Sequence, residues 1–160
     1  MSEETLSHLD KDGRAVMVDV SEKTITKRTA TARSIVALPN EVLTQLVDGD
    51  LQTKKGSVFQ IAIIAGIMAA KKTGELIPLC HPLGLDNCNI TINLNEINEV
   101  IIDCTASTTA KTGVEMEALV GASMAALTVY DMCKALSHDI IIKETKLIAK
   151  TGGKRDFKRA

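Results

Sequence analysis

Two stretches of this chain are apolar on nearly every face of the helix they would form. One is Lys55 to Gly74, KGSVFQIAIIAGIMAAKKTG, and the other runs from Thr112 to about Leu136 through EMEALVGASMAALTVYDMC. A helix lying on the surface of a domain carries one apolar stripe, so a helix that is apolar all round needs cover on its outer side as well. A chain of 160 residues has little left over to supply it. A second subunit is the economical source, and Gly66, Gly121, Ala122, Ala125 and Ala126 are small enough to let helices approach closely. A homo-oligomer is therefore expected, with a well-filled monomer core as the alternative.

Around these helices the hydrophobic period changes from helical to alternating. TITKRTATARSIVAL, Thr24 to Leu38, is rich in β-branched residues and reads as a strand. PNEVLTQLVDGD, Pro39 to Asp50, reads as a helix with Pro39 in its first turn and Gly49 at its end. Ser57 is a candidate N-cap for the next helix and Gly74 its stop. CNITINLNEI and EVIIDCTAST alternate on either side of Asn98-Glu99, the pattern of a hairpin with one wet face. Thr112-Gly113-Val114-Glu115 has the capping-box form, and DIIIKETKLIAK closes the series as one long strand or two short ones. The order β, α, α, β, β, α, β is that of a ferredoxin-like α+β domain, an antiparallel sheet with helices packed on one face. Residues 1–13 read as a flexible N-terminal arm and 14–160 as a single domain.

Composition excludes several classes of function. Aromatics make up 2% of the chain, with no Trp, which leaves little surface for stacking bases. The net charge of −1 gives no global field toward nucleic acid or a membrane, so neither is an expected partner. Charge is gathered locally, however, in Lys143, Lys146, Lys150, Lys154, Arg155, Lys158 and Arg159 near the C-terminus. The four cysteines Cys80, Cys88, Cys104 and Cys133 contain no CxxC pair, MSEETLSHLDKDG is unlike a signal peptide, and VFQIAIIAGIMAA is too short to span a bilayer. A cytoplasmic protein is expected.

Polar residues interrupting the third helix mark a candidate site. Glu117, Gly121, Met124, Thr128 and Asp131 share one stripe, yet Glu117 and Asp131 are separated by about 20 Å at the rise of an α-helix. They serve either two ends of a long groove or one site completed across a symmetric interface. Lys134, three residues after Asp131, has the spacing of a helical ion pair, and from spacing alone the pair reads first as a surface salt bridge.

A tetrapeptide, Ala-Lys-Thr-Gly, occurs at Ala110–Gly113 and again at Ala149–Gly152. The first copy leads into a helix N-terminus, which favours an anion, and the second is followed by Gly153, Lys154 and Arg155. Neither is the GxxxxGK[ST] phosphate loop. With Lys54 and Lys55 ahead of another helix, the two corners could hold several phosphate oxygens. In LIPLCHPLGL, Cys80 and His81 are neighbours between Pro78 and Pro82. On an extended segment their side chains point to opposite faces, so they would neither chelate one metal nor form a nucleophile and base. One is expected to face a pocket while the other packs inward, and no metal site is expected.

Taken together, LIPLCHPL, KTGVEMEAL, TVYDMCKAL and AKTGGK resemble the MoaC family of molybdenum cofactor biosynthesis, from MVDVSEK at Met17 through GGKRDF at Phe157. The resemblance implies a ferredoxin-like fold, a hexamer built as a trimer of dimers, and active sites at subunit interfaces. It implies a lyase that rearranges a cyclised dihydroguanosine triphosphate into cyclic pyranopterin monophosphate and releases pyrophosphate. It further implies substrate-binding roles for Leu79, Cys80, His81, Met116 and Glu117, phosphate contacts from Arg28, Lys150 and Lys154, and catalytic roles for Asp131, Lys134 and Lys55. Ser57 follows Lys55-Gly56 where an acidic residue often stands in the family. A lysine transfers protons well when burial or neighbouring cations lower its pKa. No cofactor is required by the sequence, though Mg²⁺ can accompany the phosphates. The competing classes are a non-catalytic oligomeric nucleotide-binding regulatory module and a metal-dependent nucleotide hydrolase, the latter needing a carboxylate cluster that the scattered acids do not suggest.

Overall fold

The structure is a computed structural model that describes residues 6–160; the first five residues of the N-terminal arm lie outside the described residues. Its centre is strand β1, Thr26–Ala37. Along its whole length β1 pairs antiparallel with β6, Glu99–Ala110, from Thr26 opposite Ala110 to Ala37 opposite Glu99. On its other side lies β7, Ile141–Thr151, one long strand whose register slips at Thr31/Ala32 and at Ile35/Val36. β5, Asn87–Leu94, forms the expected hairpin with β6 through a turn in which Asn98 takes a φ of 61°. A two-residue strand β8, Phe157–Lys158, completes the order β5-β6-β1-β7-β8. Without β8, this is the strand order of the ferredoxin-like α+β sandwich that the element sequence predicted.

Alternation places one face of the sheet in the core. Ala30, Ala32, Ser34 and Val36 of β1 and Val100, Ile102, Cys104 and Ala106 of β6 are buried beneath α2, Val58–Lys71, and α4, Glu115–Cys133. Ser34 is satisfied there by a 2.6 Å hydrogen bond with the Thr145 hydroxyl. The opposite face is polar, with Arg33 holding Asp103 through two 2.7 Å hydrogen bonds. The two helices meet on small residues. A Cβ on Gly66 would lie 2.4 Å from Ile90 Cδ1 and 2.7 Å from the carbonyl oxygen of Gly121, so α2 and α4 touch backbone to backbone.

Ser57 caps α2 as expected, its hydroxyl accepting from the Gln60 amide at 3.3 Å. Other helix boundaries differ from the sequence expectation. Pro39 to Asp50 is not one helix. A single turn, α1 at Asn40–Leu43, is followed by a small sheet of β2 at Leu46–Val47, β3 at Asp50–Thr53 and β4 at Gly56–Ser57. The cause is Asp48-Gly49, whose φ angles of 50° and 80° make the two-residue turn that joins paired strands. Gly74 is not the stop of α2 either, because α2 ends at Lys71 and Gly74 lies in a short helix α3, Thr73–Leu76. A Cβ on Gly74 would come within 2.9 Å of the Pro82 backbone, which explains the glycine by close approach.

Two further features bear on the site. Among the described residues no helix is long and apolar enough to cross a membrane. On the outer face of α2, Ile64 is 58% and Met68 51% exposed, with Leu127 of α4 exposed as well. Ahead of the sheet, residues 6–16 form a small hairpin with a bridge between Leu9 and Ala15.

Candidate active site

The sheet brings the two Ala-Lys-Thr-Gly segments together. β6 ends at Ala110 opposite Thr26, and β7 ends near Thr151 opposite Thr29, so both corners flank the first residues of β1. Between them lies a cavity of about 580 Å³ whose walls include Arg28, Thr112, Gly113, Lys150, Gly153 and Lys154. Each corner depends on a glycine. Gly152 has a φ of 88°, and a Cβ there would stand 1.9 Å from the Lys27 carbonyl oxygen. Gly113 leaves room for the Glu115 carboxylate, which a Cβ would meet at 2.0 Å.

The capping-box pattern at Thr112 does not form. Val114 takes the cap position of α4 with no side-chain cap bond. Glu115 instead accepts a 2.9 Å hydrogen bond from Lys150 Nζ, at the mouth of the cationic cavity. Burial works to raise the Glu115 pKa, but the Lys150 bond, its own amide and the charges of Lys150 and Arg28 outweigh it and hold the carboxyl below its ordinary value. Arg28 donates to the Lys111 carbonyl at 3.3 Å, while its buried Nε has no partner among the described residues. A buried guanidinium nitrogen left open beside Lys150, Lys154 and Arg155 suits an anion with several oxygens.

A second cavity, about 300 Å³, shares Thr112, Gly113 and Glu115 with the first and is otherwise lined by His8, Leu79, Cys80, His81, Leu83, Met116 and Glu117. Cys80 and His81 therefore line the same cavity, contrary to the expectation that one would turn inward. The segment is not extended at this point: the Cys80 amide donates to the Ile77 carbonyl at 3.1 Å, closing a turn that has Pro78 at its second position. His81 Nε2 is 2.7 Å from the Val18 carbonyl oxygen. A carbonyl only accepts, so Nε2 carries the proton, and in the neutral ring Nδ1 is left as an acceptor. Burial, and then the Glu117 charge, push the Cys80 thiol up, which keeps it protonated and argues against a thiolate nucleophile. Glu117 is 3% exposed, and burial raises its pKa against the pull of its own amide, with the Glu115 charge adding to the rise.

The remaining candidates lie at the other end of α4. Lys134, which caps the helix, donates to Asp131 Oδ1 at 2.8 Å, and Lys55 Nζ is 3.9 Å from Asp131 Oδ2. All three side chains are more than half exposed. The hydrogen bond to Asp131 raises the Lys134 pKa, and the same bond, followed by the charges of Lys134 and Lys55, lowers that of Asp131. Within one chain, then, Lys134 is held as an ammonium, the reverse of the lowered lysine pKa that the sequence reading invoked. Lys54 and Lys55 border a groove of about 440 Å³ with Gln45, Gln52, Met132 and Leu136, but only Lys55 is paired with Asp131. Ser57, in place of an acid, hydrogen-bonds to Asp50, which also accepts from the Phe59 amide at 2.9 Å. The carboxylate at the α2 N-terminus thus comes from β3 instead.

One chain does not unite all the candidates. Arg28, Lys150, Lys154, Leu79, Cys80, His81, Met116 and Glu117 form one two-lobed site, and Lys55, Asp131 and Lys134 form another at the far end of α4. The two Lys-Thr-Gly corners meet, but Lys54 and Lys55 do not join them. Sequence reasoning missed Glu115 as a wall of both lobes, since its pattern read as a cap, and missed Ser7 and His8, which sit in a polar segment with no periodicity.

Comparison with known proteins adds a family. The sequence model of the MoaC family matches residues 17–153. The chain is 54% identical over 152 residues to a protein named cyclic pyranopterin monophosphate synthase from Xanthomonas campestris pv. campestris (strain B100), covering 95% of this chain and 92% of that one. It is 48% identical over 150 residues to a protein of the same name from Thermoanaerobacter pseudethanolicus, covering 93% and 94%. Molybdenum cofactor biosynthesis protein 1 of Dictyostelium discoideum is 52% identical over 165 residues, which cover 92% of this chain but 26% of that longer protein.

Proposed function

The chain belongs to the MoaC family, and on that premise we propose that it acts as a cyclic pyranopterin monophosphate synthase in molybdenum cofactor biosynthesis. The substrate is (8S)-3',8-cyclo-7,8-dihydroguanosine 5'-triphosphate, and the products are cyclic pyranopterin monophosphate and pyrophosphate. The observation that carries this reading is the pair of cavities joined at Thr112, Gly113 and Glu115, one cationic and one largely apolar. A nucleotide with a long phosphate tail and a fused ring asks for such a pair.

In this scheme Arg28, Lys150 and Lys154 bind the triphosphate and stabilise the charge on departing pyrophosphate. Leu79, Cys80, His81, Met116 and Glu117 enclose the ring system. Lys134, kept protonated by Asp131, donates a proton as the purine-derived ring opens, and Lys55 shares the acid-base work. These three reach the substrate from a neighbouring subunit, because the length of α4 separates them from the cavities of their own chain. The exposed apolar side chains of α2 and Leu127 support an assembly, which we propose is a hexamer arranged as a trimer of dimers, working in the cytoplasm.

The test is to supply the cyclised substrate to purified protein and follow pyrophosphate release together with pterin formation, with Lys134→Ala as control. Coupled appearance of both products, lost in the variant, is the expected result. Reversible binding with neither product would replace the synthase with a regulatory nucleotide-binding module.

A further inference from the structure

The N-terminal hairpin is part of the cavity wall, although no sequence pattern gave it a task. Ser7 borders the cationic lobe, while His8 borders the apolar lobe and the shallow cleft beyond it formed by Ile77, Pro78, Leu79, Cys80 and Met116. The hairpin is held by main-chain bonds. The Val16 amide donates to the His8 carbonyl at 2.9 Å, and the Asp10 amide to the Arg14 carbonyl at 2.9 Å. Downstream the chain is fastened across the site by its own carbonyls: Val18 to His81, and Ser21 to Lys111 Nζ at 2.8 Å.

The polar groups of the apolar lobe are unbalanced. Glu115 and Glu117 offer carboxyl oxygens, and His81 has committed its Nε2 proton to Val18. Cys80 supplies only a weak S–H donor, which leaves the Thr112 hydroxyl and the His8 imidazole as the lobe's strong side-chain donors among the described residues. The guanine-derived edge of the substrate presents N–H groups that carboxyls accept, and beside them a carbonyl oxygen that needs a donor.

We propose that His8 is a substrate-contacting, positioning residue, whose imidazole N–H hydrogen-bonds the ring carbonyl of the cyclised nucleotide. This rests on the synthase reading. Because the hairpin is tied by backbone, His8→Ala removes the imidazole and leaves the hairpin's bonds in place.

The experiment measures steady-state kinetics and calorimetric binding of the cyclised triphosphate with wild type, His8→Ala and His8→Gln. A single lost hydrogen bond predicts that His8→Ala raises KM and Kd about tenfold with kcat nearly unchanged. His8→Gln, whose amide N–H still donates, should recover most of that loss. Unchanged KM and Kd in His8→Ala, or an equal loss in both variants, would overturn the contact. Should wild type bind the substrate without turning it over while His8→Ala binds tenfold more weakly, the contact stands and the synthase reading falls; no binding by wild type removes both.

Discussion

The two ends of α4 carry similar residue types in opposite settings. At its N-terminal end Glu117 is buried, Glu115 is locked to Lys150, and glycine corners shape two connected cavities. At its C-terminal end the side chains of Asp131, Lys134 and Lys55 are more than half exposed, beside a groove that Lys55 borders. The first end encloses two adjoining cavities within one chain. The second is a set of charged tips open to solvent, and such groups do little chemistry until water is excluded. The difference teaches how the function proposed above divides its work: binding falls to the enclosed end, proton transfer to the open one, and assembly would join them.

The largest effect that would sharpen this contrast is on turnover. Lys134→Ala should lower kcat by about 10²- to 10⁴-fold, the usual range for a lost proton-transfer group, while the thermal midpoint stays where it was, because an exposed ion pair adds little to stability. A fall in both would mean that the C-terminal end is structural after all. Next in size is complementation. Lys134→Ala and Arg28→Ala, each inactive alone, should regain about a quarter of wild-type activity when unfolded together and reassembled as mixed oligomers, since about one site in four then draws both intact residues from different chains. No recovery would break the comparison by placing the whole site in one chain.

Smaller effects belong to the enclosed end. Gly152→Ala forces a side chain into a left-handed backbone position and against the Lys27 carbonyl. A loss of about 2 kcal/mol, seen as a drop of roughly 4–8 °C in the thermal midpoint, is expected together with weaker triphosphate binding. The smallest effect is that of Glu117. Burial raises its pKa in the folded chain, so its contribution to stability is most favourable below its unfolded pKa near 4.5 and is lost as pH rises through the higher folded value. Glu117→Gln should therefore be more stable than wild type at neutral pH, with the gap closing in acid. Thermal melts across that range would show a pH-independent difference if Glu117 were not held in a desolvated site.

Much of the fold was legible because the periodicities are strong. β6 buries Val100, Ile102, Cys104 and Ala106 in strict alternation, and α2 begins at the cap that Ser57 announced. What failed was local. In PNEVLTQLVDGD, Pro39 in a first turn and Gly49 as a stop argued for a helix, but Asp48-Gly49 takes the positive φ angles of a tight turn, and that turn chemistry prevailed. For the site, the repeated Ala-Lys-Thr-Gly pointed correctly to one place, since a sheet with β1 at its centre sets the ends of β6 and β7 side by side. The shared cavity of Cys80 and His81 was hidden because Pro78 takes the second position of a tight turn from Ile77 to Cys80 instead of holding the segment extended. The pairing of Lys55 with Asp131 was beyond any spacing argument, for the two are 76 positions apart along the chain and meet only because α2 runs back along α4.

The crossing at Gly66 and Gly121 bears on that last meeting. With backbone against backbone there is no cushion of side chains between the helices to be compressed or exchanged. The crossing behaves as a rivet: α2 and α4 form one stiff plate, and the spacing from the cavities at one edge to the lysines at the other is set by main-chain geometry. In the assembly proposed above, subunits stacking such plates would inherit a fixed gauge, and a lysine offered to a neighbour would arrive at the same distance in every copy.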